Sequence, residues 1–309
     1  MDLGICKYKP DAGPLSRRLC ASWAHWFADL SSGDLPDDTA LFASCAEHGL
    51  RPVPNLRTSI AALRRFGAEG GMDGAIQWYS DCILRYCDTY PVRDIEVWGD
   101  ADIAFIAGGK ANPLDYGRVL TAVYWRVKSA RPDVTIWTGG FGADFAVNFV
   151  DDGVARHAPE AFDVCNLHPF ASLNPPDPGP YRATAAIRID RMRRTLDKKA
   201  KGQPFASTGF GLPTVPFDGP PPQAFGRYWR VAQGACAPLE HEALAWYVTL
   251  LELMRDCGFL TVCLLLDDFS DGQVPRFQQW CGLRREDGTE KAFVEGLCDW
   301  GHTNAERKT

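Results

Sequence analysis

Strand-like and helix-like segments alternate along this chain, and that alternation restricts it to a parallel sheet wrapped by helices. Apolar runs at 3–8, 19–27, 50–56, 94–98, 134–137, 162–167, 203–208 and 259–266 have the length and flanking turns of strands. Between them, 37–48, 75–87, 114–130, 144–151 and 240–257 place apolar residues at helical spacing. Gly49 stands where the first of these helices would need its C-terminal cap. In 183–200, basic residues interleave with apolar ones, the pattern of a solvated helix face, and 219–223 is a proline cluster in a long loop. Eight such βα units, with no interior linker, predict one (β/α)8 TIM barrel spanning residues 1–309 as a single domain.

Composition narrows the function classes. The chain of 309 residues is 46% hydrophobic and 23% charged, with a net charge of -6, so it has no basic footprint for nucleic acid. The longest apolar run, 259–266, is far short of a bilayer span, so no membrane partner is expected. The opening MDLGICKYKP lacks a secretory pattern, which reads as cytoplasmic. The 11 cysteines are odd in number and form no C-x-x-C pair or zinc-type spacing. Cys6, Cys165 and Cys263 sit inside strand segments and read as reduced core thiols. The expectation is therefore no metal and no cofactor, and the sequence sets no oligomeric state.

In a barrel of this kind the chemistry sits at the C-terminal ends of the strands. Those ends carry His25, flanked by Trp23 and Trp26, then Asn55 and Arg57, Trp98 and Asp100, Trp137, His168, Phe210, and the pair Asp267 and Asp268. Aromatic faces with a few carboxylates and histidines suit a polyhydroxylated, carbohydrate-like small molecule: C–H faces stack on rings while hydroxyls need oriented acceptors. Each position also has a bland reading. Asp100 could cap the segment after the fourth strand, and His168 could be a satisfied structural histidine. Asp267 and Asp268 could be a solvated pair. Trp98 and Trp137 suit an upper barrel layer as well as a ligand face. Strand alternation puts His25 and Trp26 on opposite faces without saying which points inward.

Several segments resemble the clan-A glycoside hydrolases. Glu96-Val97-Trp98-Gly99-Asp100-Ala101 is similar to their fourth-strand E-x-W-N-E-P, whose second Glu is the acid/base. His168-Pro169-Phe170 is similar to their sixth-strand H-P-Y, and Thr208-Gly209-Phe210-Gly211 to the seventh-strand T-E-F-G that carries the nucleophile. The ending Gly282-Leu283, Asp287-Gly288 and Lys291-Ala292-Phe293 resembles their closing pattern. The resemblance runs over nearly the whole chain and implies the same barrel with a sugar-shaped pocket.

The departures fall on the chemistry. Gly99-Asp100-Ala101 stands for Asn-Glu-Pro, and Gly209 stands for the nucleophilic Glu. Retaining hydrolysis needs two carboxyl groups about 5–5.5 Å apart, and glycine supplies none. The chain thus resembles a pseudoglycosidase, with Asp100, His168 and Asp267 as candidate catalytic groups. Trp98, Trp137, Asn55, Arg57, His25, Phe210 and Asp268 are the candidate ligand contacts. The leading expectation is a repurposed pocket doing acid/base-assisted cyclisation, elimination, isomerisation or rearrangement. A non-catalytic carbohydrate-binding protein, and an inverting hydrolase with Asp100 as general acid, are the alternatives.

Overall fold

The computed structural model describes residues 1–66, 70–99, 113–142, 158–168, 202–212, 214, 243–268 and 281–307, with 182, 186–187, 189–191 and 193–194 of the basic helical stretch. Asp100, the 144–151 segment and the 219–223 proline cluster lie outside them.

The strands are β1 (Asp2–Cys6), β2 (Ala21–Asp29), β3 (Arg51–Arg57), β4 (Asp94–Val97), β5 (Thr135–Thr138), the two-residue β6 (Phe141–Gly142), β7 (Cys165–His168), β8 (Phe205–Phe210) and β9 (Phe259–Leu265). They hydrogen-bond in the order β5-β4-β3-β2-β1-β9-β8-β7-β6, and the pairings between them are parallel. A bridge from Trp137 to Val164, with Thr138 N–H donating to the Val164 carbonyl at 3.0 Å, brings β5 alongside β7. Eight parallel strands therefore make a nearly closed barrel, the (β/α)8 architecture expected from the alternation, with β7, β8 and β9 as its sixth, seventh and eighth staves.

The helices are α1 (Gly13–Arg18), α2 (Thr39–His48), α3 (Ile60–Phe66), α4 (Gly71–Thr89), α5 (Pro113–Ala130), α6 (Ala243–Asp256) and α7 (Val294–Glu306). Gly49 takes φ +66° and ends α2, as its position predicts. The second strand begins at Ala21 and not at residue 19: Leu19 caps the six-residue α1, and Cys20 turns the chain through φ +50°. A helix that short leaves little apolar period to read. Among the described residues, no helix is long and apolar enough to cross a membrane.

Alternation along the strands divides the apolar side chains into two cores. Residues of one parity pack outward under the helices. Trp26 belongs to this set, meeting Phe42 edge-on at 5.1 Å and donating to Asp38 Oδ2 at 2.9 Å. The other parity fills the barrel with Cys6, Trp23, Val53, Trp137, Val164, Ala206, Cys263, Leu265 and Cys281. Trp137 is fully buried there, 5.4 Å from the Trp23 ring, and its Nε1 donates to Asp94 Oδ1 at 3.1 Å. The described cysteines form no disulfide with one another, and burial pushes Cys45, Cys87 and Cys165 up to about 12. They behave as small apolar side chains, not as reactive thiolates.

Because Trp137 both fills the lower barrel and satisfies Asp94, Trp137→Ala is expected to cost about 3–5 kcal/mol of stability. Urea unfolding checks this, and a loss under about 1 kcal/mol would return the ring to the list of ligand contacts.

Candidate active site

The upper layer of the barrel is polar and is organised around Glu96. This residue lies inside β4, two positions after Asp94 and on the same inward face, and it is 0% exposed. A lone carboxylate there would be prohibitively costly, so its oxygens must be met from several strands. Oε1 accepts from Asn55 Nδ2 at 3.2 Å and from the Gly140 amide at 2.9 Å. Oε2 accepts from the Thr208 hydroxyl at 2.7 Å and lies 2.9 Å from His25 Nε2, close enough for an ion pair but out of line for a hydrogen bond. Burial alone would raise the Glu96 carboxyl. The facing His25 and His168 imidazoles and the Thr208 hydroxyl outweigh it and hold the group below the ordinary carboxylate range.

The same accounting fixes a proton on His168. The single hydroxyl proton of Thr208 goes to Glu96, so its oxygen can only accept from its other neighbours. These are Asn166 Nδ2 at 2.7 Å and His168 Nε2 at 3.0 Å. His168 therefore carries hydrogen on Nε2 and donates it to Thr208. The order His168, Thr208, Glu96 is a chain of hydrogen bonds that places a buried negative charge behind an imidazole 5% exposed. On the opposite side, Cys6 Sγ lies 3.4 Å from His25 Nδ1.

Glycines make room for this cluster. A Cβ on Gly140 would stand 2.0 Å from His168 Nε2, so the imidazole occupies the space a side chain would need. A Cβ on Gly99 would meet Asn55 Nδ2 at 1.8 Å and Glu96 Oε1 at 2.6 Å, while the Gly99 amide donates to Asn55 Oδ1 at 2.9 Å. At Gly209 the fit is less severe, with His168 Nε2 3.2 Å from the Cβ position.

The described residues singled out by the sequence separate into four groups, and Asp100 lies outside the described residues. His25, Asn55 and His168 meet at Glu96. Arg57 lies at the end of β3 on the same face as Asn55, its guanidinium 4.3 Å over the Phe27 ring. Trp98, Trp137 and Phe210 are buried elsewhere. Trp98 takes φ +58° and packs edge-on against Tyr79 of α4 at 5.4 Å, and Phe210 meets Tyr247 of α6 at 5.6 Å. Both rings therefore lie in the layer between strands and helices, and Trp137 lies below the site.

Asp267 and Asp268 anchor the closing segment. Asp267 accepts from Lys9 Nζ and Arg284 Nε, each at 2.7 Å. Burial pushes its carboxyl up, but these two cations win and hold it low. Asp268 receives Lys291 Nζ at 2.8 Å and the Gly282 amide at 2.9 Å.

Glu96 and Asn166 were not among the sequence candidates. The readable signal for Glu96 is a second acid in the four-residue strand Asp-Ile-Glu-Val, inward by parity with Asp94 while Ile95 and Val97 form the apolar face. Among the described residues no group of His, Cys, Asp and Glu is arranged to hold a metal ion.

The chain matches no protein-family model and no curated protein. Its fold is nevertheless that of solved glycoside hydrolases. An exo-β-1,4-mannosidase from Opitutaceae bacterium strain TAV5 superposes with a TM-score of 0.68 at 15% identity over 99% of this chain and 60% of that one. A family 39 glycoside hydrolase from Bacteroides cellulosilyticus WH2 gives 0.64 at 17% identity, covering 96% and 62%. An endo-laminarinase from Formosa Hel1_33_131 gives 0.65 at 12% identity, covering 97% and 87%. The chain spans about three fifths of the length of the first two. The class defined is a glycoside-hydrolase-like (β/α)8 barrel; identities this low show the fold alone.

Since Glu96 is held ionised below its unfolded value of about 4.3, its contribution is complete above that pH and is lost as pH falls through the folded value. Glu96→Gln is expected to cost about 3–5 kcal/mol at neutral pH, with the gap to the unsubstituted protein closing below about pH 4. Thermal unfolding of both proteins from pH 3 to pH 7 checks the sign; a gap that does not change with pH would contradict it.

Proposed function

We propose that the mouth of this barrel binds a sugar-like, polyoxygenated small molecule and acts on it by acid/base chemistry, without a glycosyl-enzyme intermediate. The carrying observation is the His168–Thr208–Glu96 hydrogen-bond chain, which ends beside Gly209 where a retaining glycosidase of similar fold would hold its nucleophile. With Nε2 donating to Thr208, the His168 imidazole is the acid/base group of this reading, and the charge on Glu96 stabilises its imidazolium form. This suits cyclisation, elimination, isomerisation or rearrangement, reactions in which a proton moves and no glycosyl group is transferred to the protein. Asp100 is the partner acid in this reading, on the strength of its place in the fourth-strand motif. The reaction calls on no cofactor, nucleic acid or membrane, and the cytoplasm suits described cysteines that form no disulfide with one another.

The inverting-hydrolase alternative is weakened by the ion pairs on Asp267 and Asp268. A general base must be free to take a proton from water, and these carboxylates are each held by cations. The purely binding alternative is less well supported, because shape recognition alone has no need of a histidine backed by a buried charge.

Incubation with activated 2-deoxy-2-fluoro glycosides is expected to leave the intact mass of the protein unchanged, in both the natural chain and Gly209→Glu. A side chain at 209 starts 3.2 Å from His168 Nε2, and the space for an amide at 99 is taken by Asn55. A covalent glycosyl adduct on the natural chain would falsify the proposal. For any ligand converted in a screen of polyoxygenated metabolites, His168→Gln and Asp100→Asn are each expected to lower the rate by about 100- to 10,000-fold with little change in affinity. Weaker binding with an unchanged rate would establish the binding reading instead.

A further inference from the structure

We propose that Arg57 and Lys7, flanking Phe27, form a subsite for an anionic group, so that the ligand class is an acidic sugar or sugar acid bearing a carboxylate or phosphate. This rests on the mouth being the ligand site. The register of the strands places the subsite. β2 and β3 pair Phe27 with Asn55 and Asp29 with Arg57, and β1 pairs Cys6 with His25. Phe27 is two residues beyond His25, and Arg57 two beyond Asn55, so on the inward face each stands one layer, roughly 7 Å, above the Glu96 floor. The Phe27 ring meets the His25 ring edge-on at 5.4 Å, which ties the two layers together. About 7 Å is the span from the middle of a pyranose ring to an anionic substituent and its counter-ion, so a ring lying over the histidines brings that substituent to Arg57.

The charges around the mouth are unevenly used. On the β9 side each cation has its acid: Lys9 and Arg284 bind Asp267, Arg284 also reaches Asp11, and Lys291 binds Asp268. On the β2–β3 side, Arg57 is exposed and makes no ion pair with any described residue, although Asp29 is its register partner. The Asp29 carboxylate takes the Ser31 amide at 2.9 Å instead, and the guanidinium stays stacked over Phe27. Stacking fixes the guanidinium plane while leaving its edge of N–H donors open, the geometry that grips a carboxylate or phosphate by two bonds. Lys7 adds a second cation, its Nζ 5.5 Å from the same ring, and does so through a left-handed backbone at φ +56°. That conformation is unfavourable for a residue with a Cβ, and it turns the chain at the top of β1 toward Phe27.

The test is calorimetric titration of the full chain with matched hexoses, hexuronates and hexose 6-phosphates, repeated on Arg57→Gln and Lys7→Gln. Arg57 is exposed, so Arg57→Gln is expected to unfold at the temperature of the natural chain, and the thermal unfolding of Lys7→Gln, at a half-buried position, is measured beside it. The expected result is that an acidic member binds at least about tenfold more tightly than its neutral counterpart, and that Arg57→Gln abolishes that preference while leaving the neutral sugar's affinity alone. Preference for the hexuronate identifies a carboxylate as the anionic group, and preference for the hexose phosphate identifies a phosphate. Equal affinity for neutral and acidic members, or an acidic preference that survives Arg57→Gln, overturns the subsite and leaves the mouth as a sugar site. Binding of no member in the panel overturns both readings.

Discussion

A carboxylate at the centre of a barrel has to be answered by the barrel itself, and much of the upper layer follows from that requirement on Glu96. Its hydrogen bonds come from Asn55 on β3, the Gly140 amide beyond β5 and Thr208 on β8, with His25 of β2 at ion-pair distance. No single hairpin or βα unit contains these groups. They converge only when the sheet has curled far enough to bring β8 across from β4, so the charge is satisfied by closure and exposed by any partial opening. Such a group contributes little net stability compared with an apolar core, but it disfavours arrangements in which strands pair out of register.

The glycines at the departures from the hydrolase motifs look different once this layer is in place. By resemblance to the motifs, Gly99 stands where the hydrolases have Asn and Gly209 where they have the nucleophilic Glu. In space, Asn55 occupies the volume that a side chain at 99 would enter, and His168 lies in the volume above Gly140 and against Gly209. The space at Gly99 is thus filled by an amide and the space at Gly140 by an imidazole from other strands, both tied to Glu96, and the same imidazole borders Gly209. Restoring one motif residue alone would therefore crowd an arrangement that already has its own hydrogen bonds.

Long-period features of the fold were legible in the sequence, and facing at strand ends was not. The staves, the main helices and the cap at Gly49 follow from alternation, period and turn chemistry, because burial of one face leaves a mark on many residues at once. His25 and Trp26 show the opposite case: parity says only that they face apart. What decides between them is Glu96, a partner 71 positions away, which takes the histidine inward and leaves the indole to Asp38. Trp98 misled for a related reason. Its left-handed backbone breaks the alternation of β4 and turns the ring under α4, a rotation that no count of residues along the strand reveals.

The hydrogen-bond order of the floor follows from which groups are already committed. Asp267 and Asp268 are bound to cations, and both oxygens of Glu96 are engaged. The Thr208 proton is spent on Glu96, which obliges His168 to keep hydrogen on Nε2. The floor is therefore held by its own bonds, with the Glu96 carboxylate behind the His168 imidazole through Thr208. A fixed charge behind an imidazole is what the proposed acid/base chemistry asks of this site and what simple recognition of hydroxyl groups does not.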